Sequence, residues 1–199
     1  MILTEQTTVP LSALPVAVFK DHLRLGSGFS DDGVQDGLLE GYLRAATAAI
    51  EARTGKILIE RTFTWTLTDW RDDRQQPLPL APVSAMTEMT LIDGVGGETA
   101  VDPLTWRLVP DAHRPQVQPR GACLPTIPQG GGVRLGLLVG FGPEWEDLPA
   151  DLAQAVLLLA AHFYEFRHDV ARSAPQLPPS VQALIASYRT VRTFIGGRS

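Results

Sequence analysis

The sequence has a single cysteine, Cys123, in 199 residues. One thiol cannot form a disulfide within the chain, and it rules out a cysteine-based zinc site. It reads as a small hydrophobe near a turn, compatible with synthesis in a reducing compartment. Long apolar runs are also missing. The longest strictly apolar stretch is Ala155 to Ala161, far short of the ~18 residues that suggest a membrane span. Residues 1–20 show no basic segment ahead of an apolar one and carry Pro10 and Pro15, so no signal peptide is expected and the protein is expected to be soluble. An excess of positive charge is lacking as well. The net charge of −5 disfavours a protein that grips phosphates over a broad surface, though not one that DNA merely slides past.

What the chain does have is apolar content: 44% hydrophobic residues, enough for a real core and too much for general disorder. Residues 1–11 read as an extended arm. Ser12 can cap a short helix to about Leu25, with Leu14, Val18 and Leu25 at helical spacing. Gly26-Ser27-Gly28 breaks it, and Ser30, Asp31 or Asp32 can cap a longer helix to about Thr54. Its stripe is Val34, Leu38, Tyr42, Ala45, Ala49 and Ala52, widened by Leu39, Leu43 and Ile50. Gly55 stands where a C-terminal glycine stop belongs.

The texture then changes. Arg61 to Leu67 alternates threonine with large apolar groups, the period of a half-buried strand. Val83–Ile92, Trp106–Val109, Gln116–Gln118 and Val133–Phe141 are further strand candidates, separated by prolines. Gly142-Pro143 closes this stretch. A helix capped near Asp147 follows, apolar nearly all round from Leu152 to Tyr164, as the buried centre of a bundle would be. Val181, Leu184, Ile185 and Tyr188 form a last amphipathic helix. The expected fold is therefore α+β, mainly α: a small antiparallel helical bundle with a β-rich insert between the second and third main helices. The expected units are residues 1–56 (arm and first helices), 57–142 (insert), 143–189 (remaining helices) and 190–199 (tail). The tail holds Arg192, Phe194 and Ile195 just after Arg189 and has no acidic residue. It reads equally as a docking segment or a frayed helix end.

The catalytic constellations fail on spacing. Glu165 and His168 have the Glu-x-x-His spacing of di-iron bundles, but those sites need two such motifs and two further glutamates. His162 and His168 are six apart, so at about 100° per residue they lie on different helix faces. Gly136, Gly140 and Gly142 do not open into a helix and lack a Lys-Ser/Thr pair, so a phosphate loop is not formed. Asp69, Asp72 and Asp73 are interrupted by Trp70 and neutralised by Arg71 and Arg74. The tryptophans read as filling for the β-rich stretch. Neither an enzyme nor a bound cofactor is expected, and no metal site.

An ordered set of short runs carries a resemblance. It comprises Phe19-Lys20-Asp21-His22-Leu23-Arg24, Asp31-Asp32, Ala48 through Glu51-Ala52-Arg53-Thr54-Gly55-Lys56, and Arg61-Thr62-Phe63-Thr64-Trp65. It continues with Leu78-Pro79-Leu80-Ala81-Pro82-Val83, Val139-Gly140-Phe141-Gly142, Leu148-Pro149-Ala150-Asp151-Leu152 and Leu157 through Ala161-His162-Phe163-Tyr164-Glu165. Together these cover most of residues 19–190. In this order they resemble the head–tail connector (adaptor) proteins of long-tailed bacteriophages, especially the branch shared with gene transfer agents. The size of the β-rich stretch favours that branch over the minimal all-helical adaptors.

The resemblance implies a structural virion protein of the particle neck, made in the bacterial cytoplasm. It implies a homo-oligomeric ring, usually of twelve subunits, beneath the portal protein, lining part of the DNA channel and receiving the stopper protein on its other side. The tail, with Arg189, Arg192, Phe194 and Ile195, is then the portal-docking segment. Repulsion of phosphates in a channel suits an acidic lumen, and Asp31, Asp32, Asp36 and Glu40, clustered near one helix start, are the expected lumen-facing residues. Other readings are a different neck component, such as a stopper or tail-completion protein, and a small metal-dependent enzyme.

Overall fold

The threonine alternation at Arg61–Leu67 organises the sheet side of the molecule. In the computed structural model, which describes residues 1–25, 35–166 and 177–189, Phe63, Trp65 and Leu67 turn inward and the intervening threonines are half-buried. The strands are β1 (Ile2–Glu5), β2 (Arg61–Leu67), β3 (Gln76–Pro77), β4 (Val83–Ile92), β5 (Glu98–Ala100), β6 (Trp106–Val109), β7 (Gln116–Pro119) and β8 (Gly132–Val139). They form a five-stranded sheet in the order β1-β2-β8-β4-β5 and a three-stranded sheet in the order β3-β7-β6. Every ladder is antiparallel. The central strand β8 has its Val133, Leu135, Leu137 and Val139 wholly buried. They join Phe63, Trp65, Met89, Trp106 and Val117 in one apolar core.

Helices make the second layer: α1 (Val16–His22), α2 (Asp36–Thr54), α3 (Ala150–Glu165) and α4 (Pro179–Ile185). α2 ends at Gly55, whose left-handed backbone (φ 68°) lets its N–H bond the Glu51 carbonyl at 2.8 Å. Helix α3 packs against α1, α2 and α4. Leu39, Leu43 and Ile50 of α2 meet Leu152, Val156 and Leu159 of α3, with Phe19, Val181 and Ile185 closing the cluster. Full burial of each such side chain is worth about 1.5–3 kcal/mol. Leu58 and Ile59, just past α2, also belong to this helical core.

The expectation of a mainly α bundle with a β-rich insert is overturned. Among the described residues there are four helices and eight strands in two antiparallel sheets, so the fold is a sheet-rich α+β one. Two things concealed the sheet. The arm at residues 2–5 exposes all four of its side chains, so it carries no burial pattern to read; it becomes a strand only by main-chain pairing to β2. Strands β3 and β5 are two and three residues long, too short for any period to show. Helix α3 is covered nearly all round: Leu152, Ala155, Val156, Leu157, Leu159 and Ala160 are buried, Ala153, Leu158 and Ala161 are half-covered against the same core, and Gln154 is exposed. Three tryptophans do pack in the sheet core, while Trp145 packs against the helical one. Cys123 is exposed.

Gly140 shows how closely the end of β8 approaches the residue leading into β2. Its φ is 145°, and a Cβ there would lie 2.4 Å from the Glu60 Cα. Gly140→Ala therefore forces both backbone strain and overpacking, and is expected to cost at least about 2 kcal/mol. Urea unfolding of the purified variant measures this; an unchanged midpoint contradicts it.

Candidate functional site

Arg61 begins β2 on its inward-facing side, where the neighbouring positions are Phe63 and Trp65. A guanidinium in that position must be paired, because an unpaired buried charge is costly. Both Glu51 oxygens accept from its Nη2, at 2.7 and 2.6 Å, and Glu5 Oε1 accepts from Nη1 at 2.9 Å. The guanidinium carbon also lies 5.6 Å from the Phe63 ring centroid. Glu51 additionally accepts from the Leu58 N–H at 2.8 Å. Three pieces of chain thus converge: the arm through Glu5, α2 through Glu51, and the sheet through Arg61.

Burial raises the Glu51 pKa above the ordinary carboxylate value, and the opposing attraction of Arg61 does not fully offset it. A raised carboxylate pKa favours the fold at low pH, and that benefit is lost as pH rises past it. On acidification Glu51 is therefore protonated ahead of ordinary carboxylates, without loss of folding stability from this group. Beside it, between the arm and α2, lies a cleft of about 180 Å³ lined by Val9, Leu14, Arg44, Thr47 and Ala48 together with the cluster. Arg44 Nη1 donates to the Val9 carbonyl at 2.9 Å and so ties the arm to α2 a second time.

The other end of the chain is fixed in its own way. The Tyr188 hydroxyl donates to Asp151 Oδ1 at 2.8 Å, and its ring meets Phe141 edge-on at 6.2 Å. Burial, then the Asp151 hydrogen bond and charge, push the Tyr188 pKa up to about 12. The last described turn is therefore pinned to the start of α3 and the end of the sheet. Arg189, next in the chain, lines a shallow hollow with Arg53, Leu177, Gln182 and Ile185.

Of the expected docking residues, Arg189 lies at this point. Arg192, Phe194 and Ile195 fall outside the described residues. Of the expected lumen residues, Asp31 and Asp32 are also outside them. Asp36 and Glu40 share a face of α2, one turn apart, and each has a cation from its own chain: Lys20 at 2.5 Å from Asp36, and Arg44 at 2.7 Å from Glu40. His168 lies outside the described residues, while His162 packs on Phe166 with ring centroids 4.6 Å apart. Among the described residues no three of His, Cys, Asp or Glu cluster as metal ligands. The Arg61 cluster was missed by sequence reasoning. Its signal was there: a charged residue in the inward phase of an otherwise apolar alternation demands a buried counterion.

The assembled fold matches solved structures along almost its whole length. One is described as the neck of an empty gene transfer agent (GTA) particle computed with C6 symmetry. It has a TM-score of 0.89 and 54% identity, covering 98% of this chain and 99% of the other. A second, the neck of a native GTA particle computed with C12 symmetry, gives 0.84 and 50% over the same coverage. A third, the virion of a native GTA particle, gives 0.86 and 54%, again with 98% and 99% coverage. The chain belongs to the family of gene transfer agent neck proteins. No protein-family model and no curated protein matches it. As a structural neck protein it is a component of the particle, and the anchors at Glu5 and Tyr188 are parts of a building block.

Two tests address the anchors of this neck protein. Glu51→Ala leaves Arg61 buried with only the half-exposed Glu5, so a loss of about 3 kcal/mol is expected by denaturant unfolding; a loss under 1 kcal/mol would show that the pair carries little. For Tyr188, a raised phenol pKa means stability present below pH 10 and lost as pH rises toward 12. The stability advantage of the wild type over Tyr188→Phe is expected to vanish across that window in thermal melts. A difference independent of pH from 8 to 12 contradicts the assignment.

Proposed function

We propose that this neck protein is the head–tail adaptor: a homo-oligomeric ring, of twelve copies, seated beneath the portal, with DNA passing through its channel and a stopper protein on the tail side. The observation that carries the reading is the near-complete match to neck structures computed with C12 and C6 symmetry, in which one chain is repeated around an axis. In this reading it works without catalysis, as the structural role of its neck relatives suggests.

The geometry supports a division of labour. The pinning of Tyr188 gives residues 190–199 a fixed point of departure, with Arg53 and Arg189 exposed beside it. A tail with basic and apolar groups leaving a rigid base suits docking into a partner, because little of the base must be ordered on binding. Helices of residues 1–56 and 143–189 then form the wall, and residues 57–142 supply the sheet layers. The face of α2 carrying Asp36 and Glu40 is assigned to the lumen; Asp31 and Asp32, expected there from the sequence, lie outside the described residues. Pairing with Lys20 and Arg44 leaves Asp36 and Glu40 near neutral, a surface that does not grip phosphates.

Deleting residues 190–199 is expected to leave a subunit that folds and melts like the full chain but no longer co-purifies with the portal. Imaging particles made with the full chain completes the test. Necks that still assemble with the truncated subunit overturn the docking role, and a ring with the start of α2 on its outer wall overturns the lumen assignment.

A further inference from the structure

The two edges of the five-stranded sheet are exposed, and they match each other. β1 exposes every side chain, with Met1, Ile2 and Leu3 80%, 66% and 40% accessible. Residues 1–4 are Met-Ile-Leu-Thr and contain no lysine, proline or bulge of the kind that normally blunts an open edge. The one charge on β1, Glu5, is turned inward onto Arg61. At the far edge, β5 is likewise exposed. It is flanked by Val95, 95% accessible, and Leu104, 76% accessible. Its Glu98 is held by Arg134 within the same sheet. Each edge thus keeps its charge for its own chain and presents apolar groups outward.

The register relates the two edges further. Ile2 pairs with Thr66, Thr66 with Arg134, Arg134 with Thr90, and Thr90 with Ala100. Ile2 and Ala100 therefore sit in one row, level across the sheet. Four antiparallel steps separate β1 from β5, so the two strands have the same sense within the sheet. The Gln6 N–H points to Thr62 and the Val101 N–H to Met89. By the alternation of an antiparallel ladder, the main-chain groups of Leu3 on one edge and Ala100 on the other point out of the sheet.

We propose that these edges meet between neighbouring copies of this chain: β1 of one subunit lies against β5 of the next, in parallel, with Ile2 level with Ala100. This rests on the ring reading above. Cyclic rings need two different surfaces on opposite sides of each subunit, and the edges, four strand spacings of about 4.8 Å apart, lie about 19 Å from each other. Rotation about an axis along the strands preserves strand direction and adds no rise. A level row and a common ladder sense are needed for such a contact, and β1 and β5 have both.

The test uses full-length subunits in assembled necks. Ile2→Cys with Ala100→Cys, in a Cys123→Ser background, is expected to give an oxidised ladder of covalent oligomers up to ring size. Parallel partners sit within the Cα separation a disulfide spans, whereas the two sites of one subunit are too far apart to join. Either cysteine alone should give no ladder. A second variant, Leu3→Pro, removes only an outward N–H, so the subunit is expected to fold as wild type and fail to form rings. Rings seen by electron microscopy without a ladder, or normal rings from Leu3→Pro, overturn the edge contact and leave the adaptor reading intact. Wild-type necks that contain no ring of this chain overturn both.

Discussion

Burying the Arg61 guanidinium is the constraint on which the arrangement of layers depends. Its position at the start of β2, on the side that faces the core, obliges the chain to bring carboxylates to it. Glu51 arrives from the last turns of α2, and Glu5 from an arm 56 residues away in sequence. Neither the arm nor the helix could shift without leaving a charge unpaired in a largely apolar setting. The same cluster explains why a four-residue strand with no buried side chain is held at all. Main-chain pairing to β2 gives β1 its direction, and Glu5 locks its register.

From this junction the two cores extend separately. The helical one gathers α1 to α4 with Leu58 and Ile59, and the sheet one gathers β2, β4 and β8 with the tryptophans of the second sheet's surroundings. The sharp approach of Gly140 to Glu60 brings the end of β8 across the start of β2, close to where the two cores meet. Tyr188 closes the other side by joining the last helical turn to Asp151 and Phe141. A block pinned at Glu5 and at Tyr188 suits a component repeated around an axis, since each copy must present the same surfaces in the same relation.

Much of this was readable in the residues. The apolar stripe from Val34 to Ala52 foretold α2 and Gly55 its stop, but burial falls on Leu39, Leu43 and Ile50 at the stripe's margin while Leu38 is exposed; the alternation of Phe63, Trp65 and Leu67 foretold β2. Failure of each catalytic constellation on spacing, together with the ordered runs from Phe19 to Glu165, pointed toward a structural neck protein. The balance of helix and sheet was misjudged because Ile2 to Glu5, Gln76-Pro77 and Glu98 to Ala100 carry no periodicity of their own. The Arg61 cluster was missed for a related reason. The odd charge at Arg61 was visible, but nothing local says that its partners are Glu51 and Glu5.

By itself, then, the sequence determined what depends on neighbouring residues: where the main helices lie and stop, and the inward phase of the longer strands. The tertiary structure alone decided what depends on distant ones. Pairing across 56 residues, the level row from Ile2 to Ala100, and the anchoring of Tyr188 on Asp151 are all long-range. A strand with exposed side chains is defined by its main-chain hydrogen bonds, which every residue type can make, and a buried ion pair by where the chain returns. Neither leaves a local pattern, so both appear only once the chain has folded.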